Sequence, residues 1–192
     1  MFPWPSFISY VLIITYTPGP NNIMSMNNAK NVGFRKGFPF ILGIFTGTFI
    51  IMNLCLLFSV FLYSAVPKIQ FPMKLLGAAY MAYLILKTLI PSKNHEARHS
   101  SGKYIAGALL QLVNPKLMLY GMTTMSSFIL PHYSNPPVLI LFSFLLSVVG
   151  FSSLVCWSLF GSLFSMLFNK HGKVLNIIMA LLLLYCIIAL FL

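Results

Sequence analysis

Apolar runs of about 20 residues, long enough to cross the hydrocarbon of a bilayer as helices, recur along the whole chain between short polar breaks. They fall at Trp4–Met26, Pro39–Tyr63, Phe71–Ile90, Tyr104–Leu130, Val138–Phe164 and Val174–Phe191. In lipid every backbone N–H and C=O has to be satisfied inside the protein, which leaves helices and closed barrels, and runs of this length read as helices. The expectation is an all-α integral membrane protein of six transmembrane helices. The longest polar stretch, Ser92–Gly102, is too short for a soluble domain, so residues 1–192 are expected to form a single transmembrane domain. Met1-Phe2-Pro3-Trp4-Pro5 carries no cation and precedes no small-x-small cleavage site. The first run is therefore expected to be a retained helix, with the mature chain starting at or near Met1.

Charge supports the same reading. The chain holds 12 Lys and Arg against a single acid, Glu96, for a net charge of +11. Such an excess could serve nucleic acid, but the cations stand singly or in pairs between apolar runs, as they do beside anionic headgroups. No nucleic-acid partner is expected; membrane lipid is. Loops one, three and five carry Lys30, Arg35, Lys36, Lys87, Lys93, Arg98, Lys103, Lys170 and Lys173, whereas the other side carries Lys68 and Lys74. Cations are retained on the cytoplasmic side, so both termini are expected outside.

Several chemistries lack their residues. Cys55, Cys156 and Cys186 lie in separate apolar runs and form no C-x-x-C pair, which disfavours a thiol relay. His95, His99, His132 and His171 fall in loops, and with no Asp there are few metal ligands. No nucleophile elbow, carboxylate pair or phosphate-cradling loop is present, so neither an enzyme nor a bound cofactor is expected.

Two runs are interrupted in their middles. The first contains Thr17-Pro18-Gly19-Pro20-Asn21-Asn22, where two prolines remove donors and clash with the preceding turn. The fourth contains Asn114-Pro115-Lys116. Each is the first helix of a three-helix half, about 1–91 and 104–192. Halves with an odd number of spans lie antiparallel, giving two inverted repeats with broken helices 1 and 4 around a midplane site. A helix restarting near Pro20 would present N–H groups to a carboxylate, and Asn21 and Asn22 would add amide donors and acceptors.

Lys116 is the one cation inside a run rather than at its edge. Burying it in a membrane costs roughly 2.5–3.5 kcal/mol on the milder insertion scales. It either meets a substrate carboxylate, being held between substrates by carbonyls freed at the proline breaks, or snorkels to an interface because its span is shorter than drawn. Gly43-Ile44-Phe45-Thr46-Gly47 reads as close helix packing, with a sliding surface as its functional version. Ser143, Ser147, Ser152, Ser153 and Ser158 either back-bond to their own helix or line a polar path. Tyr80 is placed to reach a substrate, while Tyr83 packs or sits near headgroups.

These motifs together resemble one family. Thr17-Pro18-Gly19-Pro20-Asn21-Asn22, Gly33-Phe34-Arg35, Gly43-x-x-x-Gly47, Gly77-Ala78-Ala79-Tyr80 with Lys87, and Asn114-Pro115-Lys116 are similar to the LysE/RhtB amino-acid exporters over the full length. The resemblance implies proton-motive-force-driven efflux of small amino acids or derivatives across the bacterial inner membrane, with a homodimer admitted as the assembly. Many members of that family carry an acid just after the second glycine of Gly-x-x-x-Gly, where this chain has Thr48. A relay through that carboxylate is thus unavailable. A lysine or arginine substrate would also lack an anionic partner. Small neutral solutes such as cysteine or O-acetylserine fit better, with threonine, homoserine or leucine as alternative cargo. The site residues so indicated are Pro18, Gly19, Pro20, Asn21, Asn22, Tyr80, Asn114, Pro115 and Lys116. A membrane assembly subunit, or a redox carrier of similar helix count, are the competing classes.

Overall fold

A computed structural model describes residues 2–61 and 103–168, with isolated helical positions between 75 and 86 and between 177 and 188. Apart from those positions the expected third and sixth spans lie outside the described residues, as do the loop Ser92–Gly102, Tyr80 and Tyr83. The described elements are all helical: α1 (Trp4–Tyr16), α2 (Pro20–Val32), α3 (Phe34–Phe61), α4 (Tyr104–Leu110), a 3₁₀ turn (Gln111–Val113), α5 (Pro115–Thr123), a π-helical segment (Thr124–Ile129) and α6 (Pro136–Phe168).

The breaks sit where the prolines are. Pro18 forces Thr17 into extended backbone at ψ 146°, so α1 stops at Tyr16. Gly19 is also extended, and Pro20, whose missing N–H costs nothing at a first helical position, opens α2. Asn114 and Pro115 repeat the device between the 3₁₀ turn and α5, and there the Asn114 side chain caps the new helix by accepting from Leu117 N at 3.3 Å.

Two boundaries differ from the sequence expectation. α2 continues past Met26 to Val32, because its polar face is buried against protein rather than lipid: Asn22, Ser25 and Asn28 are all inside. Lys30 consequently lies in a last helical turn, where its charge suits the helix dipole. α3 begins at Phe34 rather than Pro39, since a proline in the first two turns forfeits little of the hydrogen-bond ladder. Only Gly33 separates α2 from α3, at φ 82°, a left-handed conformation that glycine adopts without strain.

α3 and α6, of 28 and 33 residues, are long and apolar enough to span a bilayer. Their surfaces invert the soluble pattern. On α6 the serines Ser143, Ser147, Ser153 and Ser158 are buried, while Ile140, Leu141, Phe144, Leu145, Phe160 and Leu163 are exposed, the last by 70%. An apolar outside around a hydroxyl-bearing inside is what a lipid solvent selects.

Small residues set the closest contacts. A methyl group on Gly43 would collide with the Tyr104 carbonyl oxygen, and one on Gly107 with the Phe40 carbonyl. α3 and α4 therefore touch backbone to backbone, which is the packing reading of Gly43-x-x-x-Gly47. Gly161 of α6 lies likewise against the Met26 carbonyl of α2. Between these contacts the larger core joins Val11, Met52, Leu117, Met125 and Phe142, so α1, α3, α5, the π-helical segment and α6 all meet around the broken helices.

Candidate functional site

The end of α1 is the place to begin, because a helix that stops inside a protein leaves its last carbonyls without N–H partners. Here each finds a side chain from elsewhere. Thr17 Oγ1 donates to Ile14 O at 2.9 Å. Thr15 O accepts from Asn22 Nδ2 at 2.9 Å and from Ser153 Oγ at 3.0 Å. Tyr16 O accepts from Trp157 Nε1 at 3.3 Å. Asn22 Nδ2 also reaches Thr17 O at 2.9 Å, so this one amide spans the gap between the two half-helices.

Lys116 completes the set. Its ammonium donates to Thr17 O at 3.0 Å, Thr17 Oγ1 at 3.1 Å and Pro18 O at 3.4 Å. The side chain thus crosses from the start of α5 into the break of the first run, and its charge faces the negative end of the α1 dipole. Gly19 gives it passage, for a β-carbon there would lie 2.9 Å from both Cδ and Nζ of Lys116.

A second polar group ties the two breaks together. Asn21 Nδ2 donates to Gln111 Oε1 at 2.7 Å, and Gln111 Nε2 returns to Asn21 Oδ1 at 3.2 Å. Asn114 Nδ2 donates to the same Asn21 oxygen at 2.9 Å. Gln111 also donates to Gly107 O at 3.1 Å and is fully buried. Three amides with matched donors and acceptors, Gln111 and Asn114 buried and Asn21 half-buried, fix the register of one broken helix against the other.

Between these groups lies a cavity of about 70 Å³, lined by Ile14, Thr15, Gly19, Pro20, Asn21, Asn22, Thr48, Asn114, Lys116, Leu117, Tyr120, Gly150 and Leu154. It takes in the first turn of α2, whose cap residue Gly19 supplies no side-chain acceptor to the leading N–H groups. The cavity wall thus offers helix N–H groups and an ammonium for an anion, carbonyl and amide oxygens for a cation, and Ile14, Leu117 and Leu154 as apolar surface. Thr48 is on that wall and buried. No carboxylate is, among the described residues.

Of the residues indicated by the sequence, Gly19, Pro20, Asn21, Asn22, Asn114 and Lys116 line the cavity. Pro18 contributes its carbonyl to Lys116, and Pro115 is buried at the start of α5. Gln111, Thr15, Tyr120 and Ser153 were not among them. Gln111 stands one turn before Asn114 and Tyr120 one turn after Lys116, so helical spacing from each break was the available signal. The serines of α6 divide between the two readings: Ser143 and Ser147 back-bond within their helix to Leu139 O and Ser143 O, at 3.2 and 2.8 Å. Ser153 reaches out of its helix to Thr15 and Asn22, and Ser152 does both, donating to Val149 O at 2.7 Å and meeting the Tyr16 hydroxyl at 2.9 Å.

Comparison with known proteins gives a consistent picture. The sequence model described as "LysE type translocator" matches residues 12–192. Proteins named "Cysteine/O-acetylserine efflux protein" from Escherichia coli strain K12 and from Shigella flexneri serotype 5b are each 37% identical to this chain over 187 residues, covering 97% of it and 96% of the relative. No solved structure matches.

Proposed function

The chain belongs to the LysE-type translocators, a family of amino-acid efflux transporters of the membrane, and from that premise we propose that it exports small neutral amino acids or derivatives, cysteine and O-acetylserine among them, across the bacterial inner membrane. The observation that carries the reading is Lys116 seated between the paired breaks, beside the open N-terminus of α2, in a cavity with no acid on its wall among the described residues. A substrate carboxylate is the anion such a wall receives. Its arrival draws the ammonium off the Thr17 and Pro18 carbonyls, which then accept from the substrate's α-ammonium. A cationic side chain would meet Lys116 with no counter-charge nearby, at a cost of like-charge repulsion.

In this reading the protein has six spans in two inverted three-helix repeats, with both termini outside and the cavity alternately open to each face, driven by the proton gradient. The names of the relatives support efflux, and the nine-to-two cation bias between alternate loops supports the orientation. A membrane assembly subunit would have no need to seat a lysine on a cavity wall at two helix breaks.

The test is efflux from cells overexpressing the full chain and loaded with a panel of labelled amino acids and derivatives, with and without an uncoupler. Faster loss of cysteine, serine or O-acetylserine that the uncoupler abolishes is expected. Unchanged retention of every solute in the panel sinks the proposal.

A further inference from the structure

Two hydroxyls on the cavity wall are left over once the α-amino and carboxylate ends of a substrate are assigned. Thr15 Oγ1 and Tyr120 Oη are both closed off from solvent and reach no acceptor or donor at hydrogen-bonding geometry among the described residues. They lie near enough to influence each other. Even a proton shared between them would leave one O–H and several lone pairs unused. Such groups cost on the order of 1–3 kcal/mol when buried without partners, and the cost is recovered when a bound molecule completes them.

Tyr120 is also held in place. It is only 6% exposed, and its ring stacks on Tyr10 with centroids 6.2 Å apart and planes 22° from parallel. Tyr10 in turn stacks on Phe128 at 5.6 Å. Behind it the backbone is pinned, since Gly121 abuts Cys55 so closely that an added β-carbon would lie 2.9 Å from the sulfur. The π-helical segment begins just beyond, where Thr124 Oγ1 donates to Tyr120 O at 2.7 Å. Irregular turns of this kind interrupt transmembrane helices chiefly where function needs them.

We infer that Tyr120 and Thr15 form the subsite for the substrate's side chain, and that they select amino acids whose β-carbon bears a sulfur or oxygen atom over aliphatic ones of the same size. This rests on the exporter reading and names the part of the substrate that the hydroxyls contact. A pocket that hydrogen-bonds a substrate group rejects the analogue lacking it far more strongly than an apolar pocket rejects an extra methylene, because its own buried groups stay unpaired. Tyr120 stands one turn beyond Lys116 on the same face of α5. One helix thus addresses both the carboxylate and the β-substituent, and the short reach between them suits a small side chain.

The experiment uses the purified full-length protein in proteoliposomes and compares uptake of labelled serine, O-acetylserine and cysteine with that of 2-aminobutyrate, an apolar isostere. Wild type is expected to favour the polar substrates by at least about tenfold. Tyr120→Phe removes one oxygen and Thr15→Val keeps the branched shape, so each is expected to fold and to bring that ratio close to one. A ratio unchanged in both variants overturns the subsite. Transport of none of the compounds by wild type would instead overturn the exporter reading on which it stands.

Discussion

The Lys116 ammonium lies 3.0 Å from the carbonyl oxygen of Thr17, a residue 99 positions earlier in the chain. A charge carried on the start of one broken helix therefore closes the C-terminal end of another, and each break supplies what the other lacks. Lys116→Ala is expected to cut efflux by more than about tenfold, because it removes both the anion site and the partner of two freed carbonyls. Lys116→Arg keeps the charge but not the compact ammonium, and is expected to fall between. Efflux normalised to protein in the membrane measures both, and an alanine variant as active as wild type ends the functional reading of this lysine.

Gly19 is the place where the lysine passes, so its substitution tests the same geometry from the other side. An alanine β-carbon would stand 2.9 Å from Lys116 Cδ and Nζ, and the flexible side chain can yield. Gly19→Ala is therefore expected to lower export severalfold while shifting the melting temperature in detergent by only a few degrees. Equal losses of activity and stability would show that the glycine serves the helix break alone.

The reciprocal amides of Asn21 and Gln111 predict strong coupling. Removing Asn21 leaves the buried Gln111 unsatisfied at about 1–3 kcal/mol, and removing Gln111 leaves the half-buried Asn21 without its partner, whereas removing both leaves only Asn114 without its acceptor. A double-mutant cycle of Asn21→Ala and Gln111→Ala, read by unfolding in detergent, is expected to show the double variant little worse than the poorer single one. Additive losses would mean that the amides do not act as a unit.

How much of this was legible in the sequence depends on the range of the interaction. Pro18, Pro20 and Pro115 act on their own backbone, so the breaks could be placed to the residue. The close approach of α3 and α4 could be read in kind from Gly43 and Gly47, though the partner Gly107 could not. Hydropathy ended the first span at Met26 because it assumes lipid around each residue, and Asn22 and Asn28 of α2 are surrounded by protein. Gln111 and Tyr120 were legible in position but not in role. Helical spacing from each break points to their positions, but their roles are set by contacts with Asn21 and Tyr10, 90 and 110 residues away.

The glycines of the α3–α4 contact predict a sharp contrast. A methyl on Gly43 would run into the Tyr104 carbonyl, which is backbone and cannot step aside, whereas one on Gly150 meets nothing within 4 Å. Gly43→Ala is expected to destabilise by about 3 kcal/mol or more and to lower the yield of monodisperse protein. Gly150→Ala is expected to unfold within about 0.5 kcal/mol of wild type. Size-exclusion profiles and melting curves in one detergent separate the two, and a well-folded Gly43→Ala would refute backbone contact at this helix pair.

Thr48 offers the most direct test of charge selection. It is buried on the cavity wall that also bears Lys116, and no acid stands there among the described residues. Placing a carboxylate at this position gives Lys116 an internal counter-charge, which competes with the carboxylate of a neutral substrate. It also supplies the anion that a lysine or arginine side chain would need. Thr48→Asp is therefore expected to slow export of serine and cysteine severalfold and to make unlabelled arginine an effective competitor, which it is not for wild type. Inhibition by arginine in proteoliposomes measures the switch. Should arginine compete equally well before and after the substitution, the absence of an acid in the cavity would have no part in choosing the cargo, and the preference for neutral solutes would have to come from the hydroxyl subsite alone.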